Sequence, residues 1–161
     1  MNIPDIKAMI ARIKQDTGIM IIKGNTTAPA PPLPYGVYNI TSPYIKERSR
    51  GAQFIDDNGN DTRIEQYRQT ISFNLYAEDN ETTMELAFKL HQWFLFLGQS
   101  YLQDNGLAVY EVGNIEDRTT FLVDSYQYKH GFDVQLRATD EQVKVSDDLD
   151  EIIEKVNLGG I

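Results

Sequence analysis

The sequence predicts an α+β fold: an antiparallel or mixed sheet with a long helix and an amino-terminal helix packed on one face, a long β-hairpin and a proline-rich arm. Three observations predict it. Apolar residues from Met84 to Leu102 recur at helical spacing, Ile71, Phe73, Leu75 and Ala77 alternate with polar neighbours, and Tyr126, Tyr128, His130, Phe132, Val134 and Leu136 do the same further on. Helix, strands, long helix, strands is the chain order of helices gathered on one face of a largely antiparallel sheet. A chain of 161 residues is the size of one domain, and at that length folding buries roughly 68–70% of the extended-chain surface. No internal repeat is visible, so residues 1–140 are read as one domain and residues 141–161 as an acidic tail, part of that domain or an interaction segment.

The elements follow in order. Ile3, Ile6, Ala8, Met9, Ile10 and Ile13 recur at three- and four-residue intervals, so residues 3–15 form an amphipathic helix with Pro4 and Asp5 in its first turn and Gly18 ending it. Ile19–Ile22 is a continuous branched apolar run, the pattern of a strand covered on both faces. From Ala28 to Pro34 four prolines lack the N–H that a ladder needs, so an extended polyproline-like arm is expected. Tyr35–Tyr44 returns to strand composition. Gly51–Ala77 reads as a long hairpin with its tip at Asp56–Asp61. Asp79, Asn80 or Thr82 then caps a helix that runs to about Asp104 and stops at Asn105–Gly106; Thr82 and Glu85 also suit a capping box. Leu107–Ile115 is another strand, and in the tail Leu149, Ile152, Ile153 and Val156 suit a helix, whereas Ile152, Val156 and Leu158 also lie on one face of a strand.

Composition narrows the function. Fifteen Lys and Arg against 24 Asp and Glu leave a net charge of −9, which argues against dedicated nucleic-acid binding, because that affinity comes from neutralising phosphates. The absence of cysteine excludes a disulfide scaffold, a thiolate nucleophile and Cys-ligated zinc. No apolar run approaches the roughly 18 residues of a membrane-spanning helix. The amino terminus lacks the unbroken apolar core of a signal peptide, so synthesis in the cytoplasm is expected.

Reactive constellations are equally scarce. Asp56, Asn58, Gly59 and Glu65 match four positions of a calcium loop, but Phe54 falls at position one and the flanks are strands, which favours an ordinary Asn-Gly turn. Gly98-Gln99-Ser100-Tyr101-Leu102 lacks the last glycine of a nucleophile elbow and lies in or near a helix. His91 and His130 both fall on apolar faces, the position of core or interface histidines. No phosphate-cradling glycine loop occurs. Catalytic, metal-binding and cofactor-binding residues are therefore assigned to none.

Contact surfaces are more legible. Lys46, Arg48 and Arg50 would line one face of an extended segment, either as a solvated hairpin edge or as a stripe attracting an acidic partner or passing DNA. The proline segment, with Pro31, Pro32, Pro34 and then Tyr35, is either a ligand for an aromatic groove or an arm packed on a neighbouring subunit. At about 100° per residue, the apolar residues of the long helix cover roughly 220° of its circumference, more than one sheet buries. Phe96 then projects among Glu85, Lys89 and Gln92, which places this helix against another subunit or else deep in its own core.

Read together, these segments resemble the neck or tail terminator proteins of tailed bacteriophages and prophages. The resemblance is carried by Pro31-Pro32-Leu33-Pro34-Tyr35 before Tyr38-Asn39-Ile40-Thr41, by Thr70–Tyr76 ahead of the long helix, by Asp117-Arg118-Thr119-Thr120, and by Tyr128–Val134. It spans the chain from the first helix to about Asp140. These are packing and turn motifs, so no catalytic residue is carried over. The resemblance implies a virion protein of the neck and tail junction, made in the host cytoplasm: a ring subunit, with six copies, that caps the tail tube, joins it to the neck or connector, and lets double-stranded DNA pass without specific binding. It implies no enzyme activity, cofactor or membrane. Its contact candidates are Pro31, Pro32, Pro34, Tyr35, Lys46, Arg48, Arg50, the hairpin-tip Asp57 and Asn58, Phe96 and Arg118. The competing class is a small oligomeric ligand-binding module with a pocket between sheet and long helix, lined by His91, Trp93 and tyrosines.

Overall fold

A computed structural model describes residues 4–48 and 51–145; Arg50 and the predicted tail helix lie outside them. Helix α1 spans Ile6–Thr17, three residues later at its start than the spacing suggested. Asp5 is its N-cap, accepting a hydrogen bond from Ala8 N at 2.9 Å, and Gly18 ends it with φ 75°, a left-handed conformation that glycine adopts without a Cβ clash. Ile6, Met9 and Ile13 are buried at intervals of three and four.

Strand β1 (Ile21–Lys23) pairs in parallel with β2 (Tyr35–Lys46) at one edge of the sheet. It is not covered on both faces: Ile19 and Ile21 are buried whereas Met20 is 43% exposed, so the apolar run alternates after all. An edge strand under a single helix layer has one face to bury. Residues 24–34 carry no regular structure and make the crossover that parallel strands require.

The predicted hairpin closes within its expected bounds, with its longer second arm running on beside β2. Strand β3 (Ala52–Ile55) is short, but β2 and β3 pair in succession with the same edge of β4 (Asp61–Tyr76), from Tyr35↔Tyr76 to Ile55↔Asp61. The turn closes as expected: Asp56 N donates to Asn60 O, Gly59 N donates to Asp56 O, and Gly59 has φ 80°. On its other edge β4 pairs along its whole length with β9 (Lys129–Lys144). Strand β9 therefore starts three residues after the predicted alternation, at Lys129, and continues past residue 140 to Lys144.

Between them the chain forms α2 (Asn80–Gln92), a wide π turn (Trp93–Leu97) and α3 (Gln99–Asp104), followed by β5 (Ala108–Val112), β6 (Glu116–Asp117), β7 (Thr120–Phe121) and β8 (Tyr126–Gln127). Asp79 is the N-cap, accepting from Thr82 N at 2.7 Å, so the capping-box alternative is not used. The single long helix expected from the periodicity is interrupted at Trp93. Strand order in the main sheet is β1-β2-β4-β9-β5, with β3 beside β4 and β6 beside β9, a mixed sheet in an α+β fold.

One face of the sheet carries Tyr67, Ile71, Phe73, Leu75, Phe132, Val134, Leu136 and Ala138, all buried under the helices. At its centre Phe73, Phe94 and Phe132 lie with ring centroids 5.3–6.3 Å apart, and Trp93 stands edge-on to Phe94 at 5.0 Å. The opposite face presents Ser72, Asn74, Arg68 and their partners on β9, and remains wetter.

Trp93 also ties the helices together, because its indole Nε1 donates to Asp16 Oδ2 at 2.9 Å while Arg12 Nε lies 3.0 Å from Asp16 Oδ1. The indole bond, and then the Arg12 bond and charge, outweigh the cost of desolvation and hold the Asp16 carboxyl below its ordinary 3.8. A depressed carboxylate stabilises the fold above its unfolded pKa, and that contribution is lost as pH falls through the folded value. Asp16→Asn should therefore be less stable than wild type in urea at pH 7, and the gap should close as pH falls below 3.8. An unchanged gap between pH 7 and pH 3 would refute the stabilising role of the Asp16 carboxylate.

Candidate subunit and partner interfaces

Both histidines are engaged in holding the fold. His130, buried on β9, lies with Nδ1 2.8 Å from Thr83 Oγ1 of α2. His91 Nε2 bonds to Gly113 O at 2.9 Å, and its ring stands edge-on to Phe132. His130 is buried and His91 half-buried, each packed on the apolar side of its element. The pocket imagined between sheet and long helix is solid core, with Trp93 and Phe94 fully buried in it. At the hairpin tip the Asp56 carboxylate accepts from Asn58 N and Asn60 N, each at 2.9 Å, so it serves the turn. Asp57 and Asn58 are exposed there. Among the described residues no cluster of three or more histidines and carboxylates is placed to hold a metal, and no helix is long and apolar enough to cross a membrane.

The wet face of the sheet is organised by two arginine clusters. Arg118, in the link between β6 and β7, donates from one terminal nitrogen to Ser72 Oγ (3.0 Å) and Asn74 Oδ1 (3.1 Å), and from the other to Glu116 (3.1 Å) and Asp133 (3.3 Å). Gly131 makes the room: a Cβ there would lie 2.3 Å from Phe73 O and 2.9 Å from the Arg118 guanidinium. Beside it the Asp117 carboxyl is held below its ordinary value by the Thr119 hydroxyl and then by Thr119 N. Further along, Glu47 Oε1 meets Arg68 Nε at 3.1 Å and Arg137 Nε at 3.2 Å, and both guanidinium groups lie over the Tyr110 ring. Lys46 ends β2 and Arg48 follows outside any strand, both exposed, so the extended geometry assumed for the basic stripe does not continue beyond Lys46.

Large apolar side chains are also exposed, in two places most densely. On the helical flank Phe88 is 54%, Leu95 43%, Phe96 76% and Leu97 60% exposed. The π turn creates this flank. It buries the consecutive Trp93 and Phe94 and then turns the next three side chains outward, and it closes through Gly98 N donating to Trp93 O at 2.7 Å.

A second patch caps the β7–β8 hairpin, where Phe121 (67%), Leu122 (50%), Val123 (92%) and Tyr126 (59%) are all exposed. Leu122 N donates to Ser125 O at 2.7 Å and closes the tip. Alongside, a groove of about 450 Å³ runs between this hairpin and the sheet end, lined by Pro31, Leu33, Tyr35, Tyr76, Leu122 and Tyr126. Tyr35 stacks on Tyr76 at 5.1 Å; burial first, and then the Tyr35 phenol, pushes the Tyr76 phenol above its ordinary value. Pro32 and Pro34 are exposed beside it.

The structure thus brings Pro31 and Tyr35 to one end of the sheet, puts Phe96 on the helical flank, Asp57 and Asn58 at the far hairpin tip, and Arg118 on the wet face. Sequence reasoning missed the β7–β8 tip. Its signal was present in the run Phe121-Leu122-Val123 followed by Asp124-Ser125, an apolar run too short for a core strand and closed by turn residues.

A mixed sheet covered by helices on one face, with large apolar side chains exposed on the helical flank, at the β7–β8 tip and around the β3–β4 turn, defines an α+β protein with apolar surface left at its projecting parts. The chain belongs to the phage neck terminator protein family, whose model matches residues 5–161. No curated protein matches it significantly. Membership makes it a structural component of the virion's neck and tail that interacts with other head or tail components.

Proposed function

We propose that the protein forms a closed ring, of six copies, that caps the tail tube at its head-proximal end and joins it to the neck or connector. It works as a structural part made and assembled in the host cytoplasm, without enzymatic activity or a cofactor. The observation that carries this reading is the helical flank, where four large apolar side chains from Phe88 to Leu97 face outward on a helix already anchored through Trp93. Such a surface is sustained by burial against another chain. The net charge of −9 suits a conduit, since like charge keeps passing DNA from condensing on the wall.

Light scattering coupled to size exclusion over a wide concentration range, with negative-stain imaging of the largest species, tests the proposal. A mass six times the 18.4 kDa chain with annular particles, melting independently of small molecules, is the expected outcome. A stable monomer or dimer whose melting temperature rises with a small ligand would overturn it in favour of a binding module.

A further inference from the structure

Exposed apolar side chains also surround the β3–β4 turn (Phe54, Ile55, Val143), but the helical flank and the β7–β8 tip are the two that lie on opposite sides of the sheet. The Phe88–Leu97 flank belongs to the helix layer, which covers the face bearing Phe73, Leu75 and Phe132; Thr83 and His91 of α2 reach His130 and Phe132 on that face. The β7–β8 hairpin follows Arg118, which is bonded to Ser72, Asn74 and Asp133 on the other face, and it lies across the groove from Tyr35 and Tyr76, which also point that way.

We propose that the β7–β8 tip of one copy docks onto the Phe88–Leu97 flank of the next copy, head to tail. The inference rests on the ring reading and names the surfaces that would build it. Three observations support a second copy as the occupant. The first is placement. A twofold contact of either patch with itself closes at two chains and leaves the other patch in water, whereas a heterologous contact covers both on every subunit and continues around a ring.

The second is charge. The stretch Phe88–Leu97 contains Lys89 and no carboxylate, and the stretch Thr119–Tyr128 contains Asp124 and no cation. Tip against tip would oppose two aspartates, and flank against flank two lysines, while tip against flank pairs Asp124 with Lys89. The third is area. With about 200 Å² for a large side chain and the exposures above, the flank offers roughly 470 Å² and the tip roughly 540 Å², so their union buries on the order of 1,000 Å² before any rim contact. Specific interfaces begin near about 1,000–1,200 Å² in total.

The chain contains no cysteine, which makes the test clean. Gln92→Cys, between Phe88 and Phe96 on the flank, and Ser125→Cys at the tip, both exposed polar positions that leave the apolar side chains in place, should fold as wild type, checked by circular dichroism and melting. Each single variant, the equimolar mixture of the two and the double variant are then treated with a short bis-maleimide. Head-to-tail docking gives no cross-linked dimer from either single variant, dimers from the mixture, and a ladder extending past dimers from the double variant. Dimers from either single variant alone would show a patch pairing with itself and overturn the proposal. No cross-link in any sample while wild type has a ring's mass by light scattering would overturn the docking and leave the ring standing. A wild type that stays a single chain at every concentration, with no cross-link, would end both.

Discussion

Gly98→Ala will cost the protein about 3 kcal/mol of folding stability, the upper end of what overpacking a core imposes. An ideal Cβ at residue 98 would lie 2.3 Å from Cε2 of Trp93 and 2.5 Å from Cδ2 and Cζ2. These are atoms of a rigid ring that is fully buried, packed edge-on to Phe94 and pinned through Nε1 to Asp16. The ring has nowhere to go without displacing the phenylalanine cluster or breaking the Asp16 bond. The backbone yields no more easily, since Gly98 N closes the π turn on Trp93 O. For a chain of this size each kcal/mol moves the midpoint by about 2–4 °C, so a fall of roughly 6–12 °C is expected. Ser100→Ala, two residues on and exposed, is the control. A Gly98→Ala protein melting within about 2 °C of wild type would show that the wide turn does not depend on this close approach. The experiment is read most simply in a dissociated background, where stability does not vary with chain concentration.

Phe96→Glu supplies that background and is the second large effect. Phe96 is 76% exposed and sits on the outer side of the π turn, so the isolated chain should lose no more than about 0.5 kcal/mol, as for surface changes generally. In an interface the same residue is an aromatic anchor. Its replacement by a carboxylate removes apolar contact and places a charge where water is excluded, and truncating such anchors typically costs about 2 kcal/mol or more. That weakens each contact by more than tenfold, and a closed ring repeats the loss at every junction. The expected result is a shift of the scattering mass to the single-chain value with an unchanged circular dichroism spectrum. An unaltered oligomer mass would remove the helical flank from the assembly. Unfolding would instead place Phe96 among the core residues, against its exposure.

Much of this architecture is legible in local pattern, for identifiable reasons. Alternation along Ile71–Ala77 and His130–Leu136 marks strands with one buried face, and these residues do pack under the helices. The spacing of Ile6, Met9 and Ile13 with Asp5 before and Gly18 after sets α1 to within a few residues. The Asp56–Asn60 turn closes as its Asn-Gly pair suggests, because Asx and glycine chemistry acts over four or five residues and needs no distant partner. The failures share the opposite property. A parallel neighbour for Ile21–Lys23 cannot be read from its own composition, and whether a branched run is buried on one face or two depends on what lies beside it.

The interfaces divide along the same line. Phe96 stands out in the sequence because an aromatic among Glu85, Lys89 and Gln92 breaks the helical stripe, a local mismatch that a wheel detects. The wheel nevertheless assumes a constant 100° per residue, so it could not show that Leu95 and Leu97 join Phe96 outside while Trp93 and Phe94 turn inward together. Likewise Arg118 is recognisable as a motif residue, yet its four partners come from strands 15 to 46 residues away and from its own turn. Hydrophobic periodicity and turn chemistry act between neighbours in the chain, and they were enough to establish fold class and the core faces of β4 and β9, while the family came from the resemblance of short motifs. The wide turn at Trp93, the room at Gly131 for Arg118 and the two apolar patches on opposite sides of the sheet arise from contacts between distant segments, where steric fit and the competition for buried space settle what no window of neighbouring residues contains.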